Sequence, residues 1–336
     1  MKIRYVIIKQ TVGKERTGHM RFSVICSLLL LLMILGIGSA GINAPGAAIR
    51  LTSEDGIYKM NPVWSPDGSK IAFTGRNYAG LWIINSNGSD LRQISDEPGS
   101  GYGFSWSTDS KSIVARVARF EKLRRFNAVK LYDLENNSAR QLTDYVTRMP
   151  VLPQWINFDQ NVLLLKSGQM EVVDSGKKIM LKAGRPAAKI CFWQNEKIMV
   201  YEPEKNSSTT LDPFPGSRYL NPQLSPDGSK IAFEVAGKGI FVMSNNGAMI
   251  IELGEGRKPR WSPDSGWLIY SISRDDGYQI TSSDLFIIRA DGNEKTAITK
   301  TDTELEMNPD WSPRGNQIAF DTVYGGYIYV INLEVQ

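Results

Sequence analysis

Over most of the chain apolar and polar positions alternate in runs of five or six residues broken by turn residues, the two-residue period of half-buried strands. Met60 to Trp64 reads as a short strand ending in an aromatic, and Lys70 to Thr74 as a second. Between them Ser65-Pro66-Asp67-Gly68 is a turn: proline presets φ, and Asp-Gly tolerates the left-handed conformation. Leu81 to Asn85 makes a third strand, Asn87-Gly88 a hairpin turn, and Leu91 to Ser95 a fourth, before the pattern restarts at Gly103-Phe104-Ser105-Trp106. Four short antiparallel strands followed by a restart predict one blade of a β-propeller.

The phrase Asn61-Pro62-Val63-Trp64-Ser65-Pro66-Asp67-Gly68-Ser69-Lys70-Ile71-Ala72-Phe73 returns almost unchanged from Asn221 to Phe233, and more loosely at Lys258–Asp264 and Asn308–Gly315. A large residue before the first turn marks each unit, at Trp64, Trp106, Trp155, Trp193, Leu224, Trp261 and Trp311, a spacing of about 41 residues that suits a four-stranded blade. The fold class is therefore all-β, a propeller of four-stranded antiparallel blades over residues 49–336. Seven blades are expected, or six if the region after Trp193, which has room for one more strand but hardly two, belongs to irregular neighbours. The last unit stops one strand short. Ile49-Arg50-Leu51-Thr52-Ser53 resembles the outer-strand segments Arg140–Asp144 and Thr296–Thr299, so it is expected to pair beside Tyr327–Leu333 and close the ring, leaving no open edge.

The Trp-Ser-Pro-Asp-Gly-Ser-Lys-Ile-Ala-Phe unit resembles the PD40 (WD40-like) repeat of TolB-like exported propellers. The resemblance covers about residues 49–336, with residues 150–215 diverged, and implies a propeller scaffold in the cell envelope. TolB itself carries an α/β domain before its propeller and works with a peptidoglycan-associated lipoprotein. Here the first repeat strand starts about nine residues after residue 40, with no space for such a domain.

Residues 1–40 have a different character. Lys2, Arg4, Lys9, Lys14, Arg16 and Arg21 precede an apolar run from Phe22 to about Ile37 that ends in Gly38-Ser39-Ala40, the pattern of a signal peptide. Translation from Met20 would give a conventional shorter leader. Residues 22–40 retained as a membrane anchor are the alternative to cleavage. Both readings place residues 41–336 outside the cytoplasm, in the periplasm or at the cell surface, with membrane contact only through an uncleaved N-terminal segment.

Six of the 39 Lys and Arg and one of the 35 Asp and Glu lie in residues 1–40, leaving 33 basic and 34 acidic residues, net −1. The basic balance thus belongs to the leader, and nucleic acid is not an expected partner. The only histidine, His19, also lies there, so no imidazole base remains for a Ser-His-Asp or Cys-His arrangement. Cys191, left alone by the loss of Cys26, sits in an apolar run and reads as buried and inert. Asp67, Asp227 and Asp264 recur at one position of the turn and read as structural. Asp275-Asp276-Gly277 and Asp291-Gly292-Asn293-Glu294 offer oxygen ligands that leave calcium open as an alternative, but they lack EF-hand spacing and read as turns. No cofactor, no metal and no enzymatic activity are expected. The expected function is binding of a protein or cell-envelope polymer, with an enzyme acting on peptide or polysaccharide and a structural surface component as the alternatives.

Second-to-third-strand loops and blade-to-blade connections emerge on one face of a propeller. The longest here are Arg119-Phe120-Glu121-Lys122-Leu123-Arg124-Arg125-Phe126 and Ser273 to Ser283, with Asp144 to Pro150 connecting on the same side. Arg119, Phe120, Lys122, Arg124, Arg125, Phe126, Tyr145, Arg148 and Tyr278 are the partner-binding candidates, because Tyr, Phe and Arg are enriched at interfaces and loops on rigid scaffolds carry binding.

Overall fold

Each repeat phrase builds an inner strand, a turn and a second strand, and the turn chemistry explains why the letters recur. Ser65 Oγ donates to Asp67 Oδ1 (2.7 Å), which also accepts the Ser69 amide (2.9 Å), while Ser65 Oγ accepts the Lys70 amide (2.9 Å). Ser225, Asp227, Ser229 and Lys230 repeat the arrangement. Burial would raise the Asp227 carboxyl, but the bonds from Ser225 and Ser229 outweigh it and hold the group down at about 2. The next blade joins in, since the Asp67 amide donates to Ser110 Oγ (3.0 Å) and the Asp227 amide to Ser265 Oγ (3.1 Å).

The computed structural model describes residues 42–43, 46–166, 169–177 and 188–335. The leader or anchor expected over residues 1–40, with His19 and Cys26, lies outside the described residues. Residues 43–335 form one compact unit of seven consecutive antiparallel blades. The first comprises Lys59–Trp64, Lys70–Gly75, Leu81–Asn85 and Arg92–Ser95, and the second Ser105–Trp106, Ser112–Glu121, Arg124–Asp133 and Ser138–Gln141. The third (Gln154–Ile156, Asn161–Lys166, Gln169–Asp174) and fourth (Ile190–Gln194, Lys197–Glu202, Ser207–Leu211) show three strands each among the described residues. The fifth begins at Tyr219–Leu224, the sixth at Arg257–Trp261 and the seventh at Glu306–Trp311. Ile49–Arg50 pairs antiparallel with the seventh blade, Ile49 opposite Val330 and Arg50 opposite Tyr329, so the ring closes as the repeat pattern predicts.

The core lies between blades rather than within them. Ala72, Leu81 and Ile83 of the first blade pack on Ile113, Ala115 and Tyr132 of the second, and Trp64, Ile71 and Phe73 of the first on Ala319, Ile328 and Val330 of the seventh. Each of the buried Leu, Ile, Val and Phe side chains contributes on the order of 1.5–3 kcal/mol by leaving water. Three of the marker tryptophans also bond across the seam: the Trp106 indole N–H donates to the Val63 carbonyl (3.2 Å), Trp155 to Ser105 (2.9 Å) and Trp261 to Gln223 (3.1 Å), whereas Trp311 donates to Gly315 of its own turn (3.1 Å). Trp193 departs from this role. A two-residue turn at Asn195-Glu196, both in the left-handed region, shortens the fourth blade's hairpin, and Phe192 is the buried aromatic there while Trp193 is 38% exposed.

The Asn-Pro of the repeat forms a bulge on the inner strand, with Asn61, Asn221, Lys258 and Asn308 at φ of 53°, 48°, 53° and 49°. Carboxylates on second strands tie these bulges together. Asp321 of the seventh blade accepts from Asn308 Nδ2 (2.8 Å) and from the Asn61 amide of the first (2.5 Å), and Glu234 of the fifth accepts from Asn221 Nδ2 (2.5 Å) and the Lys258 amide of the sixth (2.6 Å). Lys258 Nζ then donates to both Asn61 and Asn308 Oδ1. Arg260 pairs with Asp310 (3.3 Å), whose other oxygen accepts the Trp64 amide (2.8 Å).

Two segments expected as loops are strands. Arg119 to Phe126 belongs to a hairpin whose arms are ten residues each, joined by a two-residue turn at Lys122-Leu123 with both residues at positive φ. Ser273 to Ser283 likewise falls largely within Trp267–Asp275 and Ile280–Arg289. The sequence reads both as long second-to-third-strand loops, yet cross-strand pairing continues into them (Arg119 opposite Phe126, Phe120 opposite Arg125) because a hairpin beyond the core needs no apolar face.

Candidate functional site

Blade topology places the second-to-third-strand hairpins and the blade-to-blade connections at one end of the ring. Two long hairpins lie there, Ser112–Asp133 of the second blade and Trp267–Arg289 of the sixth, and the candidate residues fall into separate groups. Phe120 and Arg125 line a cavity of about 520 Å³ between the first and second blades, together with Tyr78, Tyr102, Arg116 and Gly99. Arg119 lies elsewhere: its guanidinium sits 4.2 Å from the centre of the Tyr145 ring and 5.9 Å from that of Phe126, and it pairs with Glu121 (3.1 Å). Arg119, Phe126 and Tyr145 thus form a cluster in which the connection between second and third blades is pinned to the hairpin, with the Asn127 and Val146 backbones exchanging two bonds. Lys122 is in the turn, and Arg124 and Arg148 are exposed. Tyr278, 98% exposed, belongs to the sixth blade's hairpin and is not part of the same cavity.

The cavity is built from three segments. Tyr78 follows the first blade's second strand in a single turn of 3-10 helix, and both Asn77 and Tyr78 take positive φ. Tyr102 comes from the connection into the second blade, and the two rings meet edge to face with centres 4.8 Å apart. Arg116 comes from mid-strand. Its Nη1 donates to the Met149 carbonyl (2.7 Å), and its guanidinium carbon lies 5.1 Å from the centre of the Tyr102 ring. Burial lowers its affinity for the proton, and the nearby Arg125 adds to that. Arg125 Nε donates to Asn127 Oδ1 (3.0 Å). Gly99 (φ 77°) lines the cavity beside Arg125, and a Cβ there would stand 2.9 Å from Arg125 Nη2.

Tyr78, Tyr102 and Arg116 were not among the sequence candidates. Arg116 had a signal: it interrupts the apolar run Ile113-Val114-Ala115-Arg116-Val117-Ala118. The two tyrosines had none, because their meeting depends on how consecutive blades abut.

A second groove of about 700 Å³ opens on the same end between the fifth and sixth blades, lined by Lys238, Glu255, Arg257 and Arg274 among others, and is charged rather than aromatic. Asp276 accepts the Tyr278 and Gln279 amides (both 2.9 Å) and Asp291 the Asn293 amide (3.0 Å), the work of turn residues. Among the described residues no three His, Cys, Asp or Glu side chains gather as metal ligands. Burial pushes the Cys191 thiol up to about 12, which removes it as a thiolate nucleophile near neutral pH.

No protein-family model matches the chain. No curated protein matches it either. Solved structures do match. TolB from Acinetobacter baumannii superposes with a TM-score of 0.53 at 17% identity, covering 86% of this chain and 71% of that one. An oligogalacturonate lyase from Vibrio parahaemolyticus matches at a TM-score of 0.48 and 11% identity, covering 88% of this chain and 98% of that one. An oligogalacturonate lyase in complex with manganese matches at 0.48 and 12%, covering 88% and 96%. The expectation of a protein without enzymatic activity is corrected here: two of the matching solved structures are named oligogalacturonate lyases, and a fold does not by itself include or exclude catalysis. At these identities the likeness speaks for the fold, and that fold is a TolB-like β-propeller.

Proposed function

We propose that this is an exported propeller that binds a protein or cell-envelope polymer through the end of the ring bearing the second blade's long hairpin, with the cavity between the first and second blades as its centre. Export rests on the basic and apolar pattern of residues 1–40, with residues 22–40 either cleaved off or kept as an anchor. The observation that carries the binding reading is the convergence of Tyr78, Tyr102 and Phe120 with Arg116 and Arg125 on one open cavity. Tyr and Arg anchors in a pocket dominate interface energetics, and Phe120 (62% exposed) and Leu123 (102% exposed) stand out from the hairpin as apolar side chains in water. The test is affinity capture from solubilised envelope with the full chain, beside a Phe120→Ser/Arg125→Ser variant and an Arg274→Ala variant on the sixth blade. A partner kept by the parent and by Arg274→Ala, and lost by the double variant, is the expected result. A partner kept by all three refutes this choice of face.

A further inference from the structure

The cavity between the first and second blades has an unbalanced charge. Arg116 is only 9% exposed, its Nε is buried without a hydrogen-bond partner among the described residues, and Nη1 is committed to the Met149 carbonyl. Among the described residues lining the cavity none is an Asp or Glu. The nearby acids are engaged elsewhere: Glu97 with Lys130 (2.7 Å) and the Tyr132 hydroxyl (3.0 Å), and Glu121 with Arg119. Arg125 stands at the mouth and spends only Nε on Asn127. A guanidinium held out of water without a counter-ion is unfavourable, and an anion arriving from outside would offset that penalty.

We infer that the cavity takes a carboxylate of a partner polypeptide between Arg116 and Arg125, with an apolar or aromatic neighbour of that carboxylate packed on Tyr78, Tyr102 and Phe120. The inference deepens the proposed function and rests on its choice of face. A carboxylate suits the planar, forked donors of arginine, and the aromatic wall supplies the apolar half of the contact. The adjoining backbone favours a polypeptide over a uronate polymer. The inner neighbour of Ser112–Glu121 pairs only as far as Ile113 and Val114, and beyond it the Pro98 carbonyl meets the Ala118 amide (2.7 Å). Among the described residues no strand covers that edge at Phe120, so an extended peptide can add to the hairpin as a strand while its side chain enters the cavity.

The test is selection of a phage-displayed random heptapeptide library on the full chain, run beside Arg125→Ala, Arg116→Met and Arg274→Ala. Peptides with Asp or Glu within two positions of an aromatic should be enriched on the parent and on Arg274→Ala, and at least about tenfold less on Arg125→Ala. Replacing the acidic residue of a selected peptide by its amide should weaken binding by at least about tenfold. Arg125 is exposed, so its variant carries the test even if Arg116→Met does not fold. Selected peptides without a carboxylate, equal enrichment on Arg125→Ala, or no enrichment at all overturn the inference. So does an oligogalacturonate that binds this site more tightly than the selected peptides. Acidic peptides selected while the envelope partner survives Phe120→Ser/Arg125→Ser would support the carboxylate site and refute the proposed working face. The opposite pattern would refute the carboxylate site alone.

Discussion

At the scale of single residues, the buried acids of the seventh blade are the most informative. Glu306 is 2% exposed, one carboxyl oxygen accepts from Thr301 Oγ1 (2.8 Å), and the other has no partner among the described residues. Burial pushes this group up to about 7. A folded-state value above the unfolded value of about 4.3 means that the proton binds the native state more tightly. The associated stability is then fully present below about pH 4.3 and is lost as pH rises through about 7. Thermal unfolding of the parent and of Glu306→Gln should therefore diverge between pH 5 and pH 8. The parent should lose several degrees relative to the variant, in line with a linkage term of up to about 3 kcal/mol. Parallel curves would show that Glu306 ionises normally. Asp310 and Asp321, raised by burial to about 6 and about 7, are present in both proteins, so the difference isolates Glu306.

At the scale of the element, the second blade's hairpin combines regular pairing with an unfavourable turn. Lys122 (φ 45°) and Leu123 (φ 66°) occupy positions where Asn-Gly is the usual choice, and left-handed backbone costs a residue like leucine about 1 kcal/mol. Leu123→Gly should therefore stabilise the chain by about 0.5–1 kcal/mol in urea unfolding. If Leu123 instead serves the binding face, the same variant should weaken partner capture as stability rises, which separates a contact residue from a turn residue. A variant less stable than the parent would contradict the turn geometry. The hairpin also shows what alternation reveals and conceals. Arg119 and Phe120 are neighbours in sequence, yet one is stacked on Tyr145 and the other opens onto the cavity.

At the scale of the whole molecule, closure depends on a few residues at the ends of the ring. Ile49–Arg50 pairs with the seventh blade, the Leu51 amide donates to the Ile328 carbonyl (2.8 Å), and Thr52 Oγ1 accepts the Ile328 amide (3.0 Å) at 2% exposure. Thr52→Val keeps the shape and strands that buried N–H, so it should cost about 1–3 kcal/mol in urea unfolding. No measurable change would mean that the clasp adds little to the ring. The polar ties of Asp321, Glu234 and Lys258 across four blades supplement the clasp from the inner side.

The alternating strands, the Ser-Pro-Asp-Gly turns, the unit spacing and the closing strand at Ile49–Thr52 were all legible in the letters, because each follows from chemistry within a few residues or from a repeated phrase. The count of seven was legible except at the fourth blade, where the chain after Lys197–Glu202 had room for one more strand but hardly two, and where three strands form among the described residues. The candidate cavity was half legible. Phe120 and Arg125 could be named from an unusual charged and aromatic stretch, and Arg116 stood out within an apolar run. Their union with Tyr78 and Tyr102 could not be named, since those residues lie in separate segments of two consecutive blades. Local sequence determined the blade, because strand period and turn chemistry act over short range. Only the tertiary structure decided which side chains share a cavity and which arginine is left without a counter-charge, because both depend on how one blade is set against the next.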